Sequence, residues 1–417
     1  MHDFSHLPRN DVLCMDMRSF YASVECMKQG LDPMTDMLAV VGDKTRSGSI
    51  ILAASPELKR RHGVKNVSRF FDLPDDPNIH VVEAKMGDYI KVSLEITKLV
   101  NRFVPKEAIH QYSVDEVWVT VNGLTKIYGA PHEVAKLIQT EIKDTMGLTC
   151  SIGIGDNKFL AKVAMDLYAK KTGIAECRYE DVEAMLWPTP IEDIWGIGSR
   201  MKHNLNRMGI VTLGQLAQYP LERLKKRFGV MGEQLYWHAW GVDLSPVIGD
   251  FQKQEQKGFG HGITLLRDYR KDEVYACILD LCEEVCRRAR TAKKAGRTVH
   301  LGIGYCQEVG GGFHRSRSVD LPTNITMDVY NVCVELFETF YDGASKVRRV
   351  FVTLDNLYAD EETQLDLFEN RTKKKDIGYV MDQIRDRYGS TALLRATSYT
   401  EAGITLDRSK KIGGHKA

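Results

Sequence analysis

Val12-Leu13-Cys14-Met15-Asp16-Met17 is a short apolar run that carries an acid near its end, a pattern typical of a buried strand. About a hundred residues later, Tyr112-Ser113-Val114-Asp115-Glu116-Val117-Trp118-Val119 combines an apolar strand pattern with two adjacent acids. A carboxylate on a buried strand costs free energy unless a partner neutralises it. Because neighbouring acids repel each other, a cation is the simplest partner. Three carboxylates on adjacent strands can hold two Mg²⁺ ions, which suits phosphoryl or nucleotidyl transfer.

Each acidic site has an ordinary alternative. Asp16 could be the N-cap of a helix, because an aspartate oxygen accepts hydrogen bonds from the first helical amides. Asp115 and Glu116 could be a strand end in solvent. Either alternative is reasonable for one site alone, whereas the two sites together with their surroundings favour a metal site.

The sequence around the first acid is Asp16-Met17-Arg18-Ser19-Phe20-Tyr21-Ala22-Ser23-Val24-Glu25. It resembles the opening motif of the Y-family, or translesion, DNA polymerases, and Ser113-Val114-Asp115-Glu116 resembles the second motif of that family. The resemblance runs from about residue 10 to about residue 358 and points to the polymerase V-like branch of Gram-positive bacteria and their mobile elements. It implies a Mg²⁺-dependent DNA polymerase that copies damaged templates in DNA repair and SOS mutagenesis.

The resemblance also implies roles for the acids. Asp16 and Asp115 would bridge two Mg²⁺ ions, Glu116 would complete the primer-side site, and Met17 would contribute only its backbone carbonyl. Side chains at 115 and 116 would point to opposite faces of an ideal strand. The implied metal site therefore requires a twist or bend where the strand ends.

Two aromatic residues follow the first acid. Tyr21 matches the position of the family's steric gate, a ring that leaves no room for a ribose 2′-hydroxyl, and Phe20 stands beside it in the nucleotide-binding motif. The alternative is that Tyr21 is a core aromatic on an amphipathic helix.

The triphosphate of a nucleotide needs cations. Ala54-Ser55-Pro56-Glu57-Leu58-Lys59-Arg60-Arg61-His62-Gly63-Val64 resembles the fingers segment that supplies them, with one extra residue before Gly63. Pro56 stands where other branches often have an aromatic residue. Lys59 or Arg60 could contact the phosphates, and Lys59 is preferred. Lys170 resembles the palm lysine that reaches the same phosphates; the alternative is a surface lysine.

Composition sets broader limits. A length of 417 residues favours two to four domains, and 43% apolar with 27% charged residues is typical of soluble globular proteins. No apolar stretch is long enough to cross a membrane, and residues 1–6 do not resemble a secretory signal. We therefore expect a cytoplasmic, nucleoid-associated protein. The nine cysteines lack any Cys-x-x-Cys spacing, which favours buried free thiols over a zinc site.

Strands and helices alternate along the chain, which predicts a multidomain α/β (α+β) protein. The resemblance adds a ferredoxin-like palm with small fingers, a helical thumb and an α/β little finger domain. The expected boundaries are 10–190 for the palm with its fingers insertion at about 28–75, 191–243 for the thumb, 244–257 for a linker, 258–358 for the little finger, and 359–417 for a tail.

Two regions have features of DNA-binding surfaces. Gly196, Gly198 and Arg200 lie in a segment that resembles a helix-hairpin-helix turn, where backbone amides approach a phosphate at a helix N-terminus. Basic residues also cluster over 199–229 and 285–318, and such clusters indicate phosphate contacts, although a solvated helix face is the ordinary alternative. The second cluster includes Arg287, Arg288, Arg290, Lys293, Lys294, Arg315 and Arg317.

The predicted tail contains Gln364-Leu365-Asp366-Leu367-Phe368, which resembles the pentapeptide by which bacterial polymerases bind the sliding clamp. Leu367 and Phe368 could enter an apolar pocket while Gln364 bonds at its rim. Expected partners are primer-template DNA, deoxyribonucleoside triphosphates, the clamp and accessory SOS proteins. The alternative to a polymerase is a non-catalytic, clamp-bound scaffold with a polymerase fold.

Overall fold

The computed structural model describes residues 4–65, 67–249, 256–360 and 371–416. They belong to two compact units, residues 1–253 with 415–417 and residues 254–414. The division falls inside the stretch 244–257 that the sequence predicts as a linker. Strands and helices are mixed in both units, as the predicted fold class requires.

The first unit contains a larger and a smaller sheet and many helices. Its strands are β1 (Val12–Met17), β2 (Leu38–Val41), β3 (Ile51–Ala54), β4 (His80–Glu83), β5 (Ile109–Gln111), β6 (Glu116–Thr120), β7 (Cys150–Gly155) and β8 (Ile174–Cys177). Its helices are α1 (Phe20–Lys28), α2 (Pro56–His62), α3 (Met86–Val100), α4 (Thr125–Tyr128), α5 (Pro131–Met146), α6 (Lys158–Ala164), α7 (Lys170–Thr172), α8 (Ser199–Asn206), α9 (Leu213–Ala217), α10 (Leu221–Phe228) and α11 (Val230–Ala239). π-Helical turns lie at Met165–Ala169 and Val182–Leu186.

Among its described residues, the second unit has one four-stranded sheet, four α-helices and a 3₁₀ turn at Ala396–Tyr399. Its strands are β9 (Gly258–Tyr269), β10 (Lys294–Tyr305), β11 (Gly312–Thr323), β12 (Val347–Ala359) and the short β13 (Lys411–Ile412). Its helices are α12 (Lys271–Thr291), α13 (Thr326–Phe340), α14 (Arg371–Tyr388) and α15 (Thr405–Arg408). A last short strand, β14 (His415–Lys416), belongs to the first unit.

Strand β1 lies at the centre of a five-stranded sheet with the order β5-β6-β1-β7-β8. It pairs antiparallel with β6 and with β7, and Asp16 stands opposite Glu116 on one side and Ser151 on the other. Its residues alternate between two cores: Leu13 and Met15 face the cluster that includes α1, α3 and α5, whereas Cys14 faces α6. The pairing brings the two acidic sites of the sequence together.

Helix α6 lies very close to strand β7 because β7 has glycines at 153 and 155. A Cβ atom at Gly153 would collide with the carbonyl oxygen of Ala161, and one at Gly155 would collide with the backbone of Leu160 and Ala161. Only residues without side chains permit this approach. The two glycines therefore set the distance between α6 and the sheet.

A smaller sheet with the order β3-β2-β4 forms between α1 and α3. Its strands β2 and β3 lie in the insertion predicted at about 28–75, whereas β4 lies beyond the predicted end. It has its own core, which includes Val41, Ile51 and Leu58. Further along, 190–243 is less uniformly helical than predicted, because α8 to α11 are joined by turns and Pro190 forms an isolated β-bridge with Thr212.

In the second unit, antiparallel strands form a sheet with the order β11-β10-β12-β9, and α12 and α13 pack against it. The sequence left the role of residues 376–417 open. Helix α14 and the segment after it pack on α12, and the side chains of Asp382 and Arg385 are buried there. Residues 371–414 are therefore integral to the second unit, whereas His415 and Lys416 belong to the first.

Two predictions about composition can be compared with the structure. All nine cysteines are free and buried, as predicted. Among the described residues, none of the helices is long and apolar enough to cross a membrane.

Candidate active site

A pocket of ≈ 610 Å³ opens in the first unit beside the paired ends of β1 and β6. Its wall combines the large sheet, helix α1 and the small inserted unit, so residues far apart in the sequence meet there. Of the residues predicted to bind metal or nucleotide, the wall includes Asp16, Met17, Phe20, Tyr21, Lys59, Asp115 and Lys170. It also includes Arg18, Ser19 and Ser151, which sequence reasoning did not single out.

Asp115 and Glu116 point in different directions. Residues 113–115 form a bend, β6 begins at Glu116, and the amide of Met17 donates to the Asp115 carbonyl oxygen at 2.9 Å. Asp115 lines the pocket, whereas Glu116 is 8% exposed and is not part of the wall. The required bend is present, yet among the described residues no three acidic, histidine or cysteine side chains converge as a metal-binding group.

Glu116 instead pairs with a lysine that sequence reasoning missed. The Lys162 Nζ atom lies 2.7 Å from the Glu116 carboxylate and 3.0 Å from the Asp166 carboxylate. Lys170 Nζ lies 2.7 Å from the other oxygen of Asp166 and 3.9 Å from Asp16. Glu116, Lys162, Asp166, Lys170 and Asp16 thus form an alternating sequence of acids and bases, called here the site chain.

The signal for the site chain was present in the sequence. Asp166 follows Lys162 by four residues and precedes Lys170 by four, which is the spacing of ion pairs on a helix. Recognising it required knowing that this helix faces the acid-bearing strands.

Asp16 is short of cationic partners. Burial raises its pKa to about 6, the positive charge of Lys170 counteracts this only in part, and the charge of Asp115 raises it further. Carboxylate oxygens with unsatisfied negative charge, beside a backbone carbonyl at Met17, are the donors that Mg²⁺ prefers. Asp16, Asp115 and Met17, which share the pocket wall, therefore offer the chemistry that a divalent cation requires.

Tyr21 stands on α1 with its ring in the pocket wall, while Phe20 is buried in the core beside it. The Tyr21 ring stacks on Tyr89, with centroids 4.4 Å apart and planes 13° apart. Tyr89 is fully buried, and its hydroxyl donates to Glu25 at 3.1 Å. The stacked partner holds the Tyr21 ring at one edge of the pocket.

The side chains of Lys59 and Arg60 have different surroundings. Lys59 lines the pocket and donates to the hydroxyl of Ser19 at 3.1 Å. Burial lowers its pKa, although the charge of Asp16 favours the ammonium form. Arg60 is outside the wall and pairs with Glu57 at 2.7 and 2.8 Å. A phosphate in the pocket would thus meet Lys59 rather than Arg60.

In the predicted thumb, Gly196 has φ +90°, and Gly198 is the N-cap of α8, whose first turn contains Arg200. A Cβ atom at either glycine would meet no described atom within 4 Å. The turn is open, as a backbone approach to phosphate requires.

The second basic cluster does not form one exposed surface, and the inclusion of Arg290 in it was wrong. Arg290 is 2% exposed and bonds to Asp382, because α14 covers it. Arg288 donates to the Gly260 carbonyl oxygen, and Arg287 lies beside Glu284. Lys293 and Lys294 stand at the turn into β10, and Arg315 and Arg317 lie on the exposed strand β11. Phosphate contact remains a prediction for these other residues. The pentapeptide Gln364 to Phe368 lies outside the described residues.

Three family models match the chain. The impB/mucB/samB family matches residues 15–166, its C-terminal domain matches 256–367, and the thumb domain of DNA polymerase iota matches 192–243. The UV-damage repair protein UvrX of Bacillus subtilis (strain 168) is 53% identical, over 100% of both chains. DNA polymerase IV 2 of the same organism is 42% identical over 97% of this chain and 98% of that protein.

A solved structure supports the fold. A Y-family DNA polymerase chimera of Dbh and Dpo4 matches with a TM-score of 0.65 over 83% of this chain and 98% of that chain. The identity is 23%, so this match concerns the fold alone. The predicted multidomain α/β class is confirmed.

Proposed function

The chain belongs to the Y family of DNA polymerases, in its impB/mucB/samB group, and we propose that it extends primers past damaged template bases by a two-metal mechanism. The enzyme is a DNA-directed DNA polymerase whose substrates are primer-template DNA and deoxyribonucleoside triphosphates. The observation that supports the mechanism most directly is the pocket in which Asp16 and Asp115 face Tyr21, Lys59 and Lys170.

Asp16, Asp115 and the Met17 carbonyl would hold two Mg²⁺ ions, and Glu116 would join them by exchanging Lys162 for a cation. When bound, the ions would activate the primer hydroxyl and neutralise the triphosphate and the leaving pyrophosphate. Lys59 and Lys170, which both line the pocket, would bind the phosphates. Their charges orient the nucleotide for in-line attack, a positioning effect that lowers the barrier.

Tyr21 would select deoxyribonucleotides. Its ring, fixed by the stack on Tyr89, would lie beneath the sugar and leave no volume for a 2′-hydroxyl. Phe20 is largely buried but also lines the pocket, so it would support the ring and form part of the nucleotide-binding wall.

The predicted thumb turn at Gly196, Gly198 and Arg200 would bind the DNA backbone, together with the basic residues Lys293, Lys294, Arg315 and Arg317. Leu367 and Phe368 would anchor the enzyme to the sliding clamp, with accessory SOS proteins as further partners at the nucleoid in the cytoplasm. These assignments rest on the sequence motifs and on the exposure of Arg315 and Arg317.

Primer extension by the purified chain tests the proposal. Templates with and without a synthetic abasic site should both support extension with Mg²⁺, and EDTA should stop it. Extension that halts at the lesion would contradict translesion synthesis, and a chain that binds DNA without extending primers would contradict the two-metal mechanism.

Tyr21→Ala tests the sugar gate in the same assay. The variant should admit ribonucleotides, because the change removes a steric block, and single-turnover rates would give the ribo/deoxy ratio. Tyr112→Ala, an exposed ring outside the pocket wall, is the matched control. An unchanged ratio in the Tyr21 variant would move the gate to another residue.

A further inference from the structure

The helical segment that carries Lys162, Asp166 and Lys170 is interrupted by the π-turn Met165–Ala169. In a regular α-helix, residues eight apart differ by about 80° in direction, because each turn takes 3.6 residues. A π-turn contains extra backbone per turn and is frequent at functional sites. Here both lysines reach the same carboxylate, at 3.0 Å on Oδ2 and 2.7 Å on Oδ1.

The two lysines differ in access to the pocket. The Lys162 side chain is 6% exposed and lies against Glu116, whereas the Lys170 side chain is 47% exposed and lines the pocket wall. The bond from Lys170 to Asp166 at 2.7 Å is much shorter than its contact with Asp16 at 3.9 Å. Asp166 therefore holds Lys170 back from the carboxylate predicted to bind metal.

We propose that Asp166, which nothing in the sequence motifs singles out, is the positioning residue that keeps Lys170 available for the incoming triphosphate. This inference rests on the proposed function, because it assigns a phosphate contact to Lys170. A long lysine side chain has many rotamers, and a short charge-assisted hydrogen bond selects the few that reach the pocket.

Without the Asp166 charge, Lys170 has a different nearest acid. The Asp16 carboxylate already lies 3.9 Å from the Lys170 Nζ atom, so the ammonium group would move onto it. That move would remove a cation from the triphosphate and place it where Mg²⁺ should bind. Loss of Asp166 should thus weaken nucleotide binding more than it slows the chemical step.

A double-mutant cycle tests the proposal. Nucleotide Kd is measured with primer-template DNA that ends in a dideoxynucleotide, so binding is observed without reaction, and the maximal rate is measured separately on a normal primer. Asp166→Asn should raise the Kd about tenfold, the usual effect of losing one hydrogen bond to a charged group, with a smaller change in rate. Lys170→Met should raise it by a similar factor.

The decisive value is the double variant. If Asp166 acts through Lys170, Asp166→Asn adds nothing once Lys170 is methionine, because coupled residues are not additive. Asp166→Glu should restore most of the affinity, and Lys171→Met, an exposed neighbour, should leave it unchanged. Thermal unfolding of every variant excludes a general loss of folding.

The outcomes separate this inference from the proposed function. Additive effects, or an unchanged Kd in Asp166→Asn, would overturn the positioning role while wild-type extension kept the polymerase assignment intact. A wild-type chain that fails to extend primers would overturn the proposed function itself, and the inference with it.

Discussion

The site chain of the first unit and the charged residues beneath the tail of the second unit both combine acids with bases. They differ in how fully the acids are neutralised by partners of opposite charge. Under the tail, Arg290 bonds to both oxygens of Asp382 at 2.6 and 3.1 Å. Glu283 accepts from Arg385 at 2.8 Å and from Arg395 at 2.8 and 3.0 Å. These five residues are called the tail network, and every one of them has a close partner of opposite charge.

The contrast is visible in two carboxyl groups. Burial alone would raise the pKa of Glu283, but the hydrogen bond from Arg385 and the charge of Arg395 outweigh it, and the pKa falls below its ordinary value. Burial also raises the pKa of Asp16, and there the lysines do not compensate. A buried acid whose charge is not neutralised by its protein partners indicates a site that can bind a cation. A buried acid that is fully ion-paired indicates a structural role.

The largest effect should be the loss of nucleotide addition when an acid that lines the pocket is removed. Asp115→Ala should slow nucleotide addition on the order of a thousandfold, because a metal ligand supplies several kcal/mol of transition-state stabilisation. DNA affinity and thermal stability should stay near the wild type. Single-turnover extension measures the rate, and Asp144→Ala, an exposed acid on α5, is the control. A rate close to wild type would remove Asp115 from the mechanism.

Substitutions in the tail network should change the free energy of unfolding rather than the rate of nucleotide addition. Arg290→Met leaves Asp382 buried without its main partner, and breaking a buried pair should cost about 3 kcal/mol. Urea unfolding of the full chain would report it. Arg287→Met is the matched control, because its ionic contacts are 3.5 and 3.7 Å long, and it should change stability by less than about 0.5 kcal/mol.

A second variant distinguishes lost pairing from lost packing. Replacing both partners, in Arg290→Met with Asp382→Leu, should recover most of the stability, since no buried charge is then left alone. A double variant as unstable as the single one would mean that the shape of the arginine side chain, and not its charge, holds the tail.

Removing the charge of Asp16 should raise stability, in contrast to removing a charge of the tail network, because the Asp16 carboxylate destabilises the metal-free protein. Its pKa is about 6 in the folded chain against an ordinary 3.8, so the folded state binds more protons between these values. Stability therefore falls as pH rises through this window, and Asp16→Asn should stabilise the metal-free protein by roughly 1–3 kcal/mol at pH 7.5. Urea unfolding in EDTA at pH 7.5 and at pH 4 should show the gain disappearing at the lower pH. An equal gain at both values would contradict the assigned cause.

The smallest effect concerns the two neighbouring cations of α2. Lys59→Ala should raise the KM for nucleotide about tenfold, the effect of losing one charge-assisted contact. Arg60→Ala should change KM little, because its guanidinium is committed to Glu57. Steady-state extension compares them directly, and a larger effect at Arg60 would reverse the assignment of the phosphate contact.

The sequence allowed the approach of the two acidic segments, and of Tyr21 beside them, to be predicted, because motif residues and apolar strand patterns are local. The partners of Glu116 and Lys170 could not be predicted, since Lys162 and Asp166 depend on which face a helix turns to a distant sheet. Arg290 was misassigned because a count of basic residues along the chain assumes that each is exposed. The role of the tail stayed open for a related reason: α14 buries the charged residues Asp382 and Arg385, so hydrophobic periodicity does not reveal its inner face.

The close approach of α6 to β7 at Gly153 and Gly155 has a consequence for how such an enzyme can vary in evolution. Lys162 is carried by α6 and Lys170 by the continuation of that helix, so a methyl group at Gly153 would shift both ammonium groups away from the acids at once. Neither glycine lines the pocket wall, yet both set where the helix that carries the two lysines stands relative to the acids. Because the collisions at both positions involve backbone atoms, we expect a substitution there to disturb the packing of α6 on β7 and the placement of the two lysines together.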